Sequence, residues 1–364
     1  MANVDKNRLD YLDVLRGIAA MSVCFQHILG HVYRTYGQAH PLYPYIKFLI
    51  ADSVDWGRFG VVLFFLISGF IIPNSLKPGG TLKRFFVSRF FRLYPAYWLS
   101  LLFIVLSAYY LGTNRPTFSY AQFFANVTMA PKLFGFEEMS GVFWTLFIEL
   151  LFYGCCATLF RMRWLDNSLV MACVALSFQF ITPLSMVLNR YFHLEIPVQF
   201  ILFHLSFLFA GNLLRLAFVK RDRVATYSAA IFFTAAMLTI PVTVGFLFAV
   251  PEATAKGFVM FTSSAVIYAY FLAIALFMYA VISKSLTSPW MVRVGERSYS
   301  LYLLHMLCFV FVAYWIPPVT TFGFVVYFLT CIVVSYLAAK FSFDYVERPA
   351  IELGKRIVKA RGYA

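Results

Sequence analysis

Over most of this chain apolar and polar residues do not alternate. They come as long apolar runs broken by short stretches rich in Lys, Arg, Pro and Gly. A helix needs about 20 apolar residues to cross the hydrocarbon of a bilayer. Runs of that length fall at about 11–32, 57–75, 94–112, 141–160, 166–188, 196–218, 225–248, 257–282, 296–316 and 320–345. The pattern predicts an all-α, polytopic integral membrane protein with about ten transmembrane helices. Heptads, low-complexity tracts and internal repeats are not evident, so residues 1–364 read as a single transmembrane domain.

Two stretches do not fit a plain span. Residues 80–93, GTLKRFFVSRFFRL, interleave bases with phenylalanines ahead of Pro95. That mixture predicts an amphipathic helix lying in the cytoplasmic interface. Residues 118–136 are apolar but short, and Pro131 and Gly135 interrupt them. They predict a re-entrant or interfacial segment on the outer side.

Composition sharpens the class. Apolar residues make up 62% of the chain and charged residues 13%, whereas soluble domains hold about 25% charged residues. A soluble enzyme, a disordered chain and a secreted disulfide scaffold are excluded. The formal net charge of +14 reads as contact with anionic lipid, not nucleic acid. With the N-terminus inside, the inner segments hold the great majority of the loop bases, beginning with Lys6, Arg8 and Lys77. The outer loops hold few, among them Arg115 and Lys256. Both termini are therefore expected in the cytoplasm. Cys24, Cys155, Cys156, Cys173, Cys308 and Cys331 all lie in apolar runs and are expected as buried thiols, with no metal site. The first residues are too polar for a cleavable signal peptide.

Ionisable groups inside a span cost about 2.5–3.5 kcal/mol on insertion scales, so each is a functional candidate. The first run carries Asp13, Arg16 and His27. Arg16 and His27 are eleven residues apart. That is about 20° from three full helical turns and roughly 16 Å along the axis, so both point the same way. Asp13 sits one turn below Arg16 and can pair with it. One reading is a snorkelling ion pair plus a packing histidine. The other is a solvated cavity with His27 as general base, since imidazole titrates near working pH.

Several stretches then resemble, in order, the acyltransferase-3 family of membrane acyltransferases. RGIAAMSVCFQH matches its Arg-x10-His signature through Arg16 and His27. RFGVVLFFLISGFII resembles its second-helix motif, and SRFFRLYPAYW carries its Arg-x-x-Arg as Arg89 and Arg92. VFWTLFIELLFY (Trp144, Glu149, Tyr153), SYSLYLLHM (Ser298, Tyr302, His305) and FDYVERPAI (Glu347, Pro349) complete the set. The likeness runs from Leu9 to Ile351. It is to exopolysaccharide and O-antigen O-acetyltransferases, without the extracytoplasmic hydrolase-like domain that some members carry.

The resemblance implies transfer of an acyl group, usually acetyl, from cytoplasmic acyl-CoA to a sugar hydroxyl of a cell-surface or lipid-linked glycan. It also implies residence in a bacterial cytoplasmic membrane. His27, Glu149 and Arg16 are then the catalytic candidates, Glu149 orienting the imidazole or holding the acceptor hydroxyl. Arg89, Arg92, Arg84 and Lys83 are candidates for the CoA phosphates, because guanidinium forks match phosphate oxygens; contact with lipid headgroups is the alternative. Asp13, Tyr302 and His305 are second-rank candidates, and Glu347 reads as structural or near the CoA mouth. Cys24 is one turn from His27, but an apolar site suppresses the thiolate, which favours direct transfer over an acyl-enzyme. A tunnel lined by Arg16, His27 and Glu149, with Arg89 and Arg92 at its inner opening, is expected. A homodimer or a glycan-assembly complex is compatible with this. The competing functions are a proton-coupled transporter or a glycan-export subunit.

Overall fold

The computed structural model describes residues 10–76, 79–110, 118–194, 196, 200–249 and 260–362. Lys6, Arg8, Leu9, Lys77, Arg115 and Lys256, and the run ends at 111–112, 197–199 and 257–259, lie outside the described residues. The described residues are mostly helical, and none of them forms a strand. Among the described residues, ten helices are long and apolar enough to cross a membrane. The protein is an all-α integral membrane protein.

In chain order the helices are α1 (Asp10–Tyr36), α2 (Tyr43–Lys47), α3 (Trp56–Ile71), α4 (Leu82–Tyr110) and α5 (Tyr120–Val127). Then come α6 (Trp144–Arg161), α7 (Ser168–Phe192), α8 (Phe200–Phe218), α9 (Arg223–Ala249) and α10 (Ser263–Ser283). The last four are α11 (Pro289–Glu296), α12 (Ser298–Trp315), α13 (Thr321–Ser342) and α14 (Arg348–Ala360). Polar caps start several of them. Asp55 accepts from the Arg58 N–H at the head of α3, Asn167 from Leu169 and Val170 at α7, and Thr262 from Ala265 at α10. Each cap answers an amide that has no partner inside its own helix.

The basic stretch 80–93 does not form a helix of its own. Leu82–Tyr110 is one helix with Pro95 inside it, so the phenylalanine-rich segment and the third apolar run share a single helix. Residues 118–136 fold as the eight-residue α5 followed by a tight turn at Pro131–Phe134, too short to cross. Two of the cysteines expected inside also differ. Cys173 is exposed and Cys155 half-buried. Both lie on helices long and apolar enough to span a membrane, on faces not fully covered by protein.

Contacts divide the chain into two compact units. One comprises Met1–Gln26, Tyr43–Ser75 and Leu151–Gly295; the other comprises His27–Leu42, Leu76–Leu150 and Glu296–Ala364. In the first, α8 is the central helix, with most of its span buried. A Cβ at Gly69 of α3 would sit 1.8 Å from the Leu208 carbonyl oxygen, and one at Gly211 would sit 2.3 Å from that of Leu66. Glycines at these points let α3 and α8 cross backbone to backbone, the usual device of helices packed in lipid. Gly295 of α11 lies likewise against the backbone of Asp13. Buried polar groups in this unit answer each other. Gln179 donates to Thr239 (2.6 Å) and accepts from Ser206 (2.5 Å), which ties α7, α8 and α9 together.

At the Arg161–Ser168 connection, Asp166 accepts from Arg215 (2.6 Å) and from Lys220. Arg215 is wholly buried and also donates to Asn212 (2.7 Å). Burial opposes the charge on Asp166, but hydrogen bonds from Lys220 and Arg215 outweigh it and hold the carboxyl below its usual range.

In the second unit, Asn126 organises the loop before α6. Its amide donates to Gln122 and Glu137 carbonyls, and its oxygen accepts from Met139 N–H (3.0 Å). Tyr97 of α4 donates to the Asn126 carbonyl (2.7 Å), and Trp98 to that of Val127 (3.0 Å). The C-terminal α14 packs on α4 where Gly354 meets Phe91.

Two predictions follow from this packing. Gly69→Val should cost about 1–3 kcal/mol or more through overpacking. Gly154→Ala, with open space at its Cβ, should hold or gain up to about 1 kcal/mol from helix propensity. Thermal unfolding in detergent separates them, and equal midpoints would contradict the close crossing. The lowered Asp166 carboxyl contributes stability above its unfolded pKa, and that contribution fades as pH falls through the folded value. Asp166→Asn should therefore flatten the acid side of the stability–pH curve; an unchanged slope would show that the carboxylate is not engaged.

Candidate functional site

The intramembrane ionisable residues of α1 fall on both units. In the first, Arg16 and Asp13 form the expected ion pair, 3.0 Å apart and half-buried. Each answers the other's charge where water is scarce. His27 opens the second unit's share of the same helix.

In that second unit, His27 meets His305 of α12. The Nδ1 atom of His27 lies 3.2 Å from Nε2 of His305, with ring centroids 5.1 Å apart. His305 has no exposed surface, while His27 is half-buried. On its other side, His305 Nδ1 lies 2.9 Å from the Tyr302 carbonyl oxygen and 3.2 Å from that of Leu301. Spacings of three and four residues place both carbonyls one turn back on the same helix. One turn further along α1, the His31 ring packs against Phe309 (5.3 Å) and Tyr327 (6.2 Å).

Tyr302 links this pair to the head of α6. Its hydroxyl donates to the Val142 carbonyl (3.0 Å) and lies 2.8 Å from Thr145 Oγ1. The Tyr302 ring is 6.0 Å from that of His305. Glu149 lies one turn beyond Thr145 on α6. The structure thus gathers His27, His305, Tyr302 and Thr145 from three separate motifs. Nδ1 of His27 is engaged by His305.

The basic residues of α4 behave differently from one another. Lys83 and Arg84 are exposed in its first turn. The Arg89 guanidinium lies 5.5 Å from the centre of the Phe85 ring. Arg92 forms an ion pair, 3.0 Å long, with Glu347, which is completely buried. The second oxygen of Glu347 accepts from Ser300 Oγ (2.7 Å), itself 3.0 Å from Ser342 Oγ. Glu347 ends a wide helical turn, Phe343–Glu347, that joins α13 to α14. Pro349 follows in the first turn of α14, where a missing N–H costs nothing. Arg92 is therefore part of an anchor for the C-terminal helix, a role its spacing from Arg89 did not disclose.

Thr145, Ser300 and His31 were not singled out from the sequence. Thr145 and Ser300 lie within motifs already quoted, and His31 follows His27 at i+4 on the same face. Among the described residues no group of three His, Cys, Asp or Glu is placed to hold a metal ion.

The chain is similar to known proteins over most of its length. Nodulation protein 10 of Rhizobium leguminosarum bv. viciae is 24% identical over 96% of this chain and 95% of its own. A protein of Acidianus two-tailed virus that bears an acetyltransferase name, ORF330, is 30% identical over 40% of this chain and 39% of its own. No solved structure matches. The acyltransferase-3 family model, described as an acyltransferase domain, matches residues 9–340. Spanning helices, motifs in order and a match over nearly the whole length make this chain a member of the acyltransferase-3 family, a membrane O-acyltransferase.

Proposed function

We propose that the enzyme transfers an acyl group, acetyl in the first instance, from acyl-CoA on the cytoplasmic side to a hydroxyl of a cell-surface or lipid-linked glycan. The observation that carries this reading is the His27–His305 pair, a hydrogen-bonded imidazole set inside a spanning helix. An acetyltransferase name on one relative supports acetyl as the group.

The chemistry balances with one base. His27 takes the proton of the acceptor hydroxyl as its oxygen attacks the thioester carbonyl carbon. The tetrahedral intermediate collapses with loss of the carbon–sulfur bond. The departing CoA sulfur takes the proton back from the imidazolium. Ester and free CoA thiol result, and His27 returns to its starting state. No covalent acyl-enzyme is needed, which leaves Cys24 without a role.

Charge considerations support the side of entry. CoA carries three phosphate groups and crosses no bilayer unaided, and the basic opening of α4 is a suitable dock. The extended pantetheine arm is about 15–20 Å long. That is comparable with the roughly 16 Å rise along α1 from Arg16 to His27. Donor phosphates held near the cytoplasmic end of the helix would bring the thioester to His27, with the acceptor arriving from outside.

The first test is His27→Ala, assayed with labelled acetyl-CoA and a panel of glycans. Transfer should fall about 10²-fold or more with folding retained, the usual weight of a general base; near-normal turnover would remove His27 from that role. The two arginines should also separate. Arg89→Ala should raise KM for acyl-CoA and leave stability intact. Arg92→Ala leaves the buried Glu347 carboxylate without its ion pair and should cost about 3–5 kcal/mol of stability. Indistinguishable KM for acyl-CoA in Arg89→Ala and the parent would assign Arg89 to lipid headgroups.

A further inference from the structure

Helices α1 and α12 meet in two successive rungs. His27 lies on His305, and His31 lies on Phe309, each side chain four residues further along its own helix. Four residues rise about 6 Å and bring a side chain back to within about 40° of the same face. His31 is thus the neighbour of the proposed base, one turn along, and both belong to the second unit. The rings of Phe309 and Tyr327 that fix the His31 ring are themselves buried.

The two rungs differ in how their nitrogens are used. His305 spends its own on carbonyls of α12 and on His27. Among the described residues, neither ring nitrogen of His31 makes a hydrogen bond or an ion pair, and neither is buried. A neutral imidazole carries one N–H donor and one lone pair, and inside a span each is costly unless it is answered. We infer that His31 binds the acceptor: its imidazole holds a second hydroxyl of the sugar whose first hydroxyl is deprotonated at His27. A hydroxyl both gives and takes hydrogen bonds, which matches the donor and lone pair on this ring. The phosphates and thioester of acyl-CoA only accept. A rise of about 6 Å is within the reach of one sugar ring with its hydroxyls. Arg34 is seven residues from His27, about 20° short of two full turns, and lies exposed in the last turn of α1. The polar stripe therefore continues from His27 to the end of the helix opposite the Asp13–Arg16 pair, the end from which the acceptor would arrive. His31 then makes the enzyme selective for acceptors that carry a further hydroxyl close to the one acylated.

This inference rests on the proposed transfer to a sugar, and the test reads the two separately. Full-length enzyme labelled with 15N-histidine in nanodiscs would be titrated with the methyl pyranosides of glucose, galactose, mannose and N-acetylglucosamine. His31→Phe assigns the His31 signals, keeps a ring against Phe309 and Tyr327, and removes both nitrogens. At least one pyranoside should shift the His31 signals saturably. Its dissociation constant should rise about tenfold in His31→Phe, the weight of a lost hydrogen bond, with KM for acetyl-CoA unchanged. His31→Gln keeps a donor and an acceptor and should stay within about threefold of the parent. Among the monodeoxy analogues of that pyranoside, one should bind the parent about tenfold more weakly and bind His31→Phe no more weakly. The inference is overturned if no pyranoside shifts His31, if His31→Phe binds the sugars as the parent does, or if every deoxy analogue loses equally in both proteins. Saturable shifts at His31 with no acetyl transfer to any pyranoside or glycan would instead defeat the transfer reading and leave the sugar site standing.

Discussion

Hydrocarbon offers polar groups no water, and each such group inside a span must find its answer within the protein. This constraint organises the molecule more than any single apolar contact. Asp13 answers Arg16 on α1. Asp166 answers Arg215, a buried arginine. Glu347 answers Arg92 and Ser300, and that network fastens α14 to α4. Gln179 bridges three helices by giving to Thr239 and taking from Ser206. Apolar packing can only be this close where the backbones touch, and the glycines at 69 and 211 permit it.

The same constraint gives the site its form. A histidine in a span is acceptable to the bilayer only if its ring nitrogens are used. His305 uses one on the carbonyls of its own helix and the other on His27. What stabilises the fold at this point also sets the orientation of the proposed base. Structure and proposed chemistry therefore share these hydrogen bonds, and Tyr302 extends the network to the head of α6 through Val142 and Thr145.

Much of this was legible in the sequence. Runs of about 20 apolar residues mark spans whatever their partners are, so ten spans were legible, although the third helix begins at Leu82, about a dozen residues before its apolar run. The ion pair of Asp13 and Arg16 was legible because it is local, at i,i+3. What could not be read was long-range or short. His27 and His305 are 278 positions apart, and their pairing depends on helix packing that no local pattern encodes. The bond between Arg92 and Glu347 is hidden in the same way. Helices α11 and α14 were missed because both are too short and too charged to look like spans. Pro95 suggested a boundary, yet α4 runs through it. Proline in a spanning helix is tolerated when neighbouring groups take up the freed carbonyl.

The central claim is that donor and acceptor meet at His27 from opposite sides of the membrane, and sided proteoliposomes test it most directly. The enzyme would be reconstituted in one orientation, fixed by protease access to residues 82–92. Labelled acetyl-CoA would be supplied to a single face, with glycan acceptor confined to the other. Label should reach the acceptor only when acetyl-CoA is on the face that exposes residues 82–92, and His27→Ala vesicles should stay unlabelled. Transfer from donor placed on the opposite face, or transfer only when both substrates share one face, would contradict the account.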